Sequence, residues 1–302
     1  MFSSRAVNSP ELFCPAKLNL LLAVTGRRTD GFHDLVSVVA PVEFGDRLRI
    51  EAAAEFSLHC DDPAVPAGGT NLVLKAAQAF RAATGWTGGA RFTLTKRIPM
   101  GAGLGGGSSN AAMALLGLNR LAGGPLAAEK LAGVAAQVGS DCALFLAGGP
   151  VVIRGRGEQV AALPAAVATR LRGRRVLIFK PAFAIATPWA YTQLAAQAPG
   201  GYLPAGEAEA RVGAFVRAVA AGAAWEDSLF NALEGPGFRK FIALPVLLGQ
   251  LRARFGLAPR MSGSGSACFA LLPDGAPVPE IVAAVRAAWG ATALVVETRL
   301  AC

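Results

Sequence analysis

The chain has 302 residues, of which 53% are hydrophobic and 16% charged, and its 29 lysines and arginines exceed its 20 acidic residues to give a formal net charge of +9. This balance excludes a disordered chain. The length is sufficient for one large domain or two ordinary ones, whose core needs no metal or disulfide to stabilise it. The positive charge indicates an anionic partner without identifying its class.

The cysteines are widely spaced, with no two within four residues of each other, which excludes the usual zinc and redox spacings. They are Cys14, Cys60, Cys142, Cys268 and Cys302. Because their number is odd and their spacing is not that of a paired motif, a set of reduced thiols in the cytosol is the simplest interpretation. Because residues 1–13 contain no continuous apolar run such as signal peptides carry, we expect a cytoplasmic protein.

Two long and almost uncharged stretches, at 98–119 and 131–153, have the length of a membrane span. The first contains six glycines. The second has Asp141 near its middle, at a cost of about 2.5–3.5 kcal/mol in a bilayer. Both are therefore predicted to be interior segments of a soluble protein, and an acid within apolar sequence indicates a specific role.

The first half of the chain contains predicted strands and helices in mixed order. Apolar runs and alternation predict strands over 18–24, 35–42, 47–52 and 91–98. A turn at Phe44-Gly45-Asp46 separates the second strand from the third. Helical spacing predicts helices over 71–83, from a glycine-rich loop to near Arg120, and over 127–138, where Gly139 ends the helix.

A basic, poorly patterned stretch over 164–174 is the candidate linker to the second half. Beyond it we expect strands over 175–179, 267–272 and 293–298, and helices over 188–196, 208–221, 238–255 and between the last two strands. Because strands and helices do not alternate regularly, an α+β fold is favoured over a doubly wound sheet. We place the domain boundary between residues 171 and 172.

The strongest motif is the run Pro-Met-Gly-Ala-Gly-Leu-Gly-Gly-Gly-Ser-Ser-Asn-Ala-Ala at 99–112, between a strand and a helix. The first N–H groups of a helix have no internal partner and lie at the positive end of its dipole, so such a loop can bind phosphate. Glycine lets the anion approach the backbone closely.

Two common nucleotide loops do not fit this run. A dinucleotide loop needs an acid about 20 residues later, and the first acid after the glycines is Glu129. A Walker A loop needs a lysine directly after the glycines, and none is present. A plain surface turn is disfavoured, because so many glycines at a helix start cost conformational entropy.

The pattern P-x-x-x-G-L-G-x-x-S-S-x-A-A resembles the phosphate loop of the GHMP kinases. Pro-Ala-Lys-Leu-Asn-Leu at 15–20 and Met-Ser-Gly-Ser-Gly-Ser at 261–266 resemble further segments of that superfamily, in the same order. The resemblance covers most of the chain. It implies a two-domain α+β fold, with a ribosomal protein S5 domain 2-like N-terminal domain, a ferredoxin-like C-terminal domain and an active site in the cleft between them.

Within the superfamily, five segments resemble a branch that uses ATP and Mg²⁺ to phosphorylate the 2-hydroxyl of a cytidyl-diphosphate sugar alcohol. They are Thr-Gly-Arg-Arg-Thr-Asp-Gly-Phe-His at 25–33, Thr-Asn-Leu-Val at 70–73, the triple glycine at 105–107, Gly-Ser-Asp at 139–141 and Asn-Ala-Leu-Glu at 231–234. The chain departs from that branch at Ala143, where proline is usual, and at Ala232, where aspartate is usual.

The resemblance implies roles for particular residues. Asp141 is expected to accept the proton of the acceptor hydroxyl, with Lys17 beside it to keep the carboxylate ionised. From the residues alone, Asp141 is a helix N-cap, and Lys17 is either an edge residue whose ammonium reaches solvent or a functional cation.

The remaining implied contacts fall into two groups, and the Mg²⁺ ligands are not assigned. ATP is expected at Asn71, Pro99, Met100, Gly101, Ala102, Gly103, Leu104, Gly105, Gly106, Gly107, Ser108 and Ser109. The acceptor is expected at Asn19, Phe32, His33, Ser264 and Gly265. From the residues alone, Asn71 is a helix N-cap and His33 lies in a surface loop.

Two alternatives stay open. Another kinase of the superfamily, of the homoserine or mevalonate kinase type, does not need Gly-Phe-His at 31–33. An RNA-binding protein is suggested by the net charge and by Arg154, Arg156, Arg170, Arg172, Arg174 and Arg175. That basic set lacks interleaved aromatics for base stacking, so we expect no nucleic-acid partner. We also expect small-molecule substrates and no membrane partner. A monomer and a homodimer are equally compatible with the sequence.

Overall fold

The computed structural model describes residues 11–301, so Cys302 lies outside the described residues. The chain forms two compact units, each discontinuous in sequence. Within the described residues, unit 1 comprises 11–16, Gly45–Ile98 and Gly105–Leu146, and unit 2 comprises Lys17–Phe44, Pro99–Leu104 and 147–301. The two units are defined by which residues lie close together in space, and each consists of several segments. They therefore do not test the single boundary between residues 171 and 172, which stays a prediction.

The strands are β1 Glu11–Arg27, β2 His33–Ala53, β3 Ser57–Cys60, β4 Gly89–Thr95, β5 Val151–Gly155, β6 Gln159–Ala162, β7 Arg175–Lys180, β8 Phe230–Asn231, β9 Arg260–Met261, β10 Cys268–Leu271 and β11 Leu294–Arg299. The helices are α1 Leu72–Thr84, α2 Gly106–Leu121, α3 Ala128–Val138, α4 Ala165–Leu171, α5 Thr187–Ala195, α6 Ala205–Ala221, α7 Glu234–Lys240, α8 Ala243–Phe255 and α9 Val278–Trp289. This mixture confirms the predicted α+β class.

In unit 1, three helices pack with a short mixed sheet, which contains both antiparallel and parallel strand pairs. The C-terminal part of β2 pairs antiparallel with β4, in a register that sets Ile50 opposite Phe92, and β3 runs parallel to β4. Helices α1, α2 and α3 contact one another. Phe80 of α1 and Phe92 are fully buried, so the apolar side chains of both layers form this core.

Unit 2 contains two groups of paired strands. The N-terminal part of β2 pairs antiparallel with β5, which forms a hairpin with β6, and β1 pairs in parallel with β8. A separate four-stranded antiparallel sheet has the order β11-β7-β10-β9. Phe179 and Phe269 of its central strands are fully buried.

The turn predicted at 44–46 is wrong, because β2 is continuous through these residues. A Cβ on Gly45 would lie 2.3 Å from the carbonyl oxygen of Cys14, so glycine is required by the close approach of a neighbouring strand. Asp46 is fully buried and accepts hydrogen bonds from residues near the end of β4. Tertiary contacts, and not a chain reversal, therefore explain the Gly-Asp pair.

Two further predictions are wrong. The linker expected at 164–174 contains helix α4, which buries Val167 and Leu171. The helix expected over 238–255 is two helices, α7 and α8, with Phe241 at the C-cap of the first in a non-helical conformation. The other predicted helices lie within a few residues of their expected bounds, and Asn71 is the predicted N-cap of α1.

The two uncharged stretches lie in interior elements: the first contains α2, and the second contains α3, a 3₁₀ helix at Ala143–Leu146 and β5. Throughout residues 11–301, no helix combines the length and the apolar character that a membrane span requires.

Candidate active site

The glycine-rich loop has the backbone that an anion site requires. Gly101, Gly103 and Gly105 have φ of 61°, 76° and 73°, which glycine adopts without strain. Gly105 is the N-cap of α2, and the first helical hydrogen bond joins Ser109 N–H to Gly105 O at 2.9 Å. The N–H groups of residues 106–108 precede that bond and are available to an anion at the positive end of the helix dipole.

Asp141 lies in the same unit as the first turn of α2. It is half-buried in a turn closed by Cys142 N–H donating to Gly139 O at 3.0 Å, and a 3₁₀ helix follows. The Ser108 hydroxyl lies beside the Cys142 thiol, whose pKa burial raises to about 12. Within the described part of the chain, the Ser109 hydroxyl is buried and has no hydrogen-bond partner. Unit 1 therefore brings Ser108 close to the turn that carries the proposed base.

Lys17 and Asn19 lie on one face of β1, as the alternation predicted. Both are buried, and the Lys17 ammonium donates to Asn19 Oδ1 at 2.5 Å. Asn19 Nδ2 in turn donates to Ser37 Oγ at 2.9 Å. The Lys17 backbone N–H donates to Leu104 O at 2.9 Å, so β1 also fixes the glycine-rich loop. Because the ammonium is buried in this polar network, it does not reach solvent, so the edge lysine, one of the two interpretations that the residues left open, does not hold.

The segment between β9 and β10 contacts the same loop. Ser262 Oγ donates to Gly103 O at 3.2 Å and accepts from Asn19 N–H at 3.3 Å, while Ala267 N–H donates to Ala102 O at 3.0 Å. Ser264 Oγ hydrogen-bonds Thr187 Oγ1 at 2.8 Å. Unit 2 therefore brings the predicted residues of β1, of the loop at 101–104 and of 264–265 together.

Asn231 and Glu234 hold that segment, and the sequence assigned them no role. Asn231 Nδ2 donates to the carbonyl oxygens of Met261 and Gly263, both at 2.8 Å. Glu234 Oε1 accepts from Met261 N–H at 2.8 Å, and burial raises the pKa of its carboxyl. The matched segment at 231–234 was the available signal for these two residues.

His33 lies within a cluster of rings. Its ring centroid is 4.9 Å from that of Tyr191 and 6.0 Å from that of Tyr202. Nε2 of His33 is buried and has no hydrogen-bond partner among the described residues. Burial, and then the charge of Arg27, lower the pKa of His33, so the neutral imidazole is favoured. The two tyrosines were missed, because nothing in sequence links them to residue 33.

Phe32 and Met100 are the exposed apolar residues of the predicted set. Phe32 is 49% exposed, with the Arg156 guanidinium 5.2 Å above its ring, and Met100 is 47% exposed. Asn71 Oδ1 accepts from Val73 N–H, and its Nδ2 donates to Pro66 O at 2.7 Å. The capping role of Asn71 is confirmed, whereas its contact with adenine stays a prediction.

Comparisons with known proteins identify the family. Residues 71–149 match the GHMP kinases N terminal domain, and residues 219–291 match the GHMP kinases C terminal domain. The 4-diphosphocytidyl-2-C-methyl-D-erythritol kinase of Synechococcus sp. (strain CC9902) is 40% identical over 271 residues, which cover 86% of each chain. That of Methylacidiphilum infernorum (isolate V4) is 37% identical over 281 residues, which cover 90% of this chain and 88% of the relative.

The chain belongs to the 4-diphosphocytidyl-2-C-methyl-D-erythritol kinase family. A crystal structure of 4-(cytidine 5'-diphospho)-2C-methyl-D-erythritol kinase is 37% identical, with a TM-score of 0.75, and the match covers 96% of this chain and 99% of that one. Homoserine kinase from Cytophaga hutchinsonii shares the fold, with a TM-score of 0.78 at 18% identity, covering 100% of this chain and 98% of the other. As a GHMP kinase of this family, the chain is a phosphotransferase whose phosphate donor is ATP.

Proposed function

We propose that this chain transfers the γ-phosphoryl group of ATP to the 2-hydroxyl of 4-(cytidine 5'-diphospho)-2-C-methyl-D-erythritol. The products are the 2-phosphate and ADP, in the non-mevalonate route to isoprenoid precursors. The observation that carries the proposal is the similarity, over 86% of the chain at 40% identity, to a kinase named for that acceptor. Homoserine kinase shares the fold at 18% identity, which does not support homoserine as the acceptor.

The triphosphate is assigned to the glycine-rich loop and the first turn of α2. Three glycines at positive φ leave the backbone exposed, and the N–H groups of residues 106–108 precede the first helical hydrogen bond. Kinase catalysis depends mainly on positioning and on stabilising the charge of the transferring group. Backbone donors at a helix N-terminus serve both purposes.

Asp141 is assigned as the acceptor of the proton that the 2-hydroxyl releases. Asp141 directly precedes Cys142, and the Cys142 thiol lies beside Ser108 in the first turn of α2, the proposed phosphate-binding helix. Lys17 is assigned to the orientation of the acceptor hydroxyl, and its bond to Asn19 occupies one of the three N–H donors of the ammonium. Proton acceptance by a positioned carboxylate contributes about 10²–10⁴ in rate.

The cytosine is assigned to the ring cluster. A neutral imidazole has one donor and one acceptor, and Nε2 of His33 is buried with no partner in the described chain, so it is available to a base edge. Tyr191 and the half-exposed Phe32 offer ring faces for stacking. Ser264 and Gly265 are assigned to the acceptor as well.

Mg²⁺ is proposed to accompany ATP. Residues 11–301 contain no group of three or more His, Cys, Asp or Glu that could hold a metal, which suits an ion carried mainly by phosphate oxygens and water. Ser109 fits a role at this ion, because its buried hydroxyl has no protein partner within the described chain. When bound, the ion neutralises charge on the phosphates.

We further propose that the protein is cytoplasmic and does not bind nucleic acid. The four cysteines within residues 11–301 form no disulfide, which supports a reducing compartment. Several arginines of the basic set are paired, including Arg154 with Glu209, Arg174 with Glu226 and Arg175 with Glu297, which reduces the charge available to RNA.

The test is an ADP-release assay on the purified chain with ATP, Mg²⁺ and each of three acceptors. Phosphorylation of the cytidyl substrate, with a new ³¹P resonance from a phosphomonoester, is the expected result, and homoserine and mevalonate should give no turnover. Activity on homoserine without activity on the cytidyl substrate would overturn the proposal. Salt-sensitive RNA binding that ATP does not affect would contradict the assignment of small-molecule substrates alone.

A further inference from the structure

Asp46 is a buried acid to which the chemistry above assigns no part. It is fully buried, in the continuous strand β2. Oδ1 accepts from the backbone N–H of Arg97 at 2.7 Å and of Ile98 at 2.8 Å. Oδ2 accepts from the Lys96 ammonium and from Asn110 Nδ2, the latter at 2.9 Å. Each carboxylate oxygen therefore has two donors, which satisfies the whole group.

The four donors lie on both sides of the glycine-rich loop. Lys96, Arg97 and Ile98 directly precede Pro99, where the loop begins. Asn110 is the fifth residue of α2, directly after Ser108 and Ser109. One carboxylate thus joins the segment that enters the loop to the helix that leaves it.

The two sides are also in close contact. A Cβ on Gly106 would lie 3.0 Å from Ile98 Cγ2 and 3.3 Å from the Lys96 ammonium nitrogen. The first residue of α2 therefore packs directly on the segment before the loop. The Lys96 side chain is 8% exposed and Asn110 as a residue is 3% exposed, so both partners of the carboxylate have little contact with solvent.

Burying a charged pair costs free energy, so a role other than stability is expected for it. Desolvation of a buried carboxylate and ammonium can exceed their attraction, so an ion pair of this kind is weak evidence for stability alone. Its geometry is nevertheless restrictive, because four hydrogen bonds to one planar group fix the relative position of three chain segments. The loop between them has three glycines at positive φ and little stiffness of its own.

Resting on the proposed placement of ATP, we propose that Asp46 is a positioning residue for the triphosphate. Its carboxylate holds the two sides of the loop at a fixed separation before nucleotide arrives, so the N–H groups of residues 106–108 are already directed at the phosphates. A preformed loop loses less conformational entropy on binding. Without this link, the nucleotide itself must order the loop, and its affinity falls.

The experiment compares Asn110→Ala with Asn119→Ala. Asn119 lies on the same helix and makes two hydrogen bonds of similar length, to the N–H and the carbonyl of Leu126, at the end remote from the loop. We expect both variants to lower the midpoint of urea unfolding. Only Asn110→Ala should raise the dissociation constant of ADP and the KM for ATP, by about tenfold, since it removes one hydrogen bond to a charged group. The KM for the acceptor should stay within about twofold of wild type.

Equal nucleotide affinities in the two variants would overturn the inference, and so would a fall in kcat with no change in the KM for ATP.

A second measurement needs no variant. In wild type without nucleotide, the Arg97 and Ile98 amides should exchange with deuterium far more slowly than the loop amides at 101–105. Similar exchange rates would show that the link is not formed before binding. If the chain binds ADP but does not phosphorylate the cytidyl substrate, the proposed function fails while this comparison still decides the role of Asp46.

Discussion

The carbonyl oxygen of Ser262 lies 2.1 Å from the position that a Cβ on Gly103 would occupy. Two segments of unit 2 that are remote in sequence therefore approach each other at a point where only glycine fits. The Ser262 hydroxyl also donates to Gly103 O at 3.2 Å, so the contact is held by a hydrogen bond as well as by shape.

Gly103→Ala should lower both stability and nucleotide affinity, and Gly124→Ala is its control. Both glycines have positive φ, 76° and 78°, but nothing lies within 4 Å of a Cβ on Gly124. The control should lose about 1–2 kcal/mol of unfolding free energy from backbone strain. Gly103→Ala should lose about 1–3 kcal/mol more from the overlap with Ser262. Urea unfolding and ADP titration measure both effects, and equal losses would contradict the close contact.

Asp141→Asn should leave nucleotide binding nearly intact and lower kcat by about 10² or more, because the amide cannot accept the proton. Asp274→Asn, at an exposed position in the loop before α9, is the control and should not change kcat. ADP titration and steady-state kinetics provide the two readouts. Near-normal turnover in Asp141→Asn would exclude Asp141 as the base.

Lys17→Met keeps most of the side-chain volume and removes the charge. We expect kcat to fall by about 10-fold to 10³-fold, since a cation at the reacting group stabilises charge that develops in the transition state. Lys130→Met, on the exposed face of α3, should behave as wild type. A rise in the KM for the acceptor with unchanged kcat would instead assign Lys17 to binding alone.

His33 makes acceptor binding pH-dependent in a defined direction. Burial lowers its pKa, so the imidazole is neutral at pH 7 and gains a proton only below the usual value of about 6.5. The KM for the cytidyl substrate should therefore be constant from pH 8 to about 6.5 and rise at lower pH. In the unfolded chain, His33 keeps its usual, higher pKa and is protonated first as the pH falls. The folded protein therefore loses stability as the pH falls below about 6.5.

Proton NMR can observe this titration directly. The chain has two histidines, so the ring resonance that His33→Asn removes is assigned at once. A His33 midpoint at or above about 6.5 in the free enzyme would contradict the stated shift.

The local signals in the sequence predicted the parts of the site that depend on neighbours along the chain. Asn71 caps α1, the loop at 99–109 runs into a helix, and alternation set Lys17 and Asn19 on one face of β1. Each of these follows from backbone chemistry within a few residues.

The parts that the sequence did not predict depend on contacts between remote residues. Gly45-Asp46 has the composition of a turn, and only the nearness of Cys14, Lys96 and Asn110 explains it as strand. Tyr191 and Tyr202 lie more than 150 residues from His33, and no spacing rule connects rings at that distance. Helix α4 was missed because its pattern consists of two buried residues, Val167 and Leu171.

The discontinuous course of the units makes the protein unsuited to division into two halves. Lys17–Phe44 belongs to unit 2, and Leu21 and Leu22 of β1 pair with Phe230 and Asn231 of β8. A gene cut after codon 171 would place these pairing partners on separate polypeptides. We expect neither fragment to accumulate as folded protein when expressed alone, and ATP-dependent activity to return only on co-expression of the two.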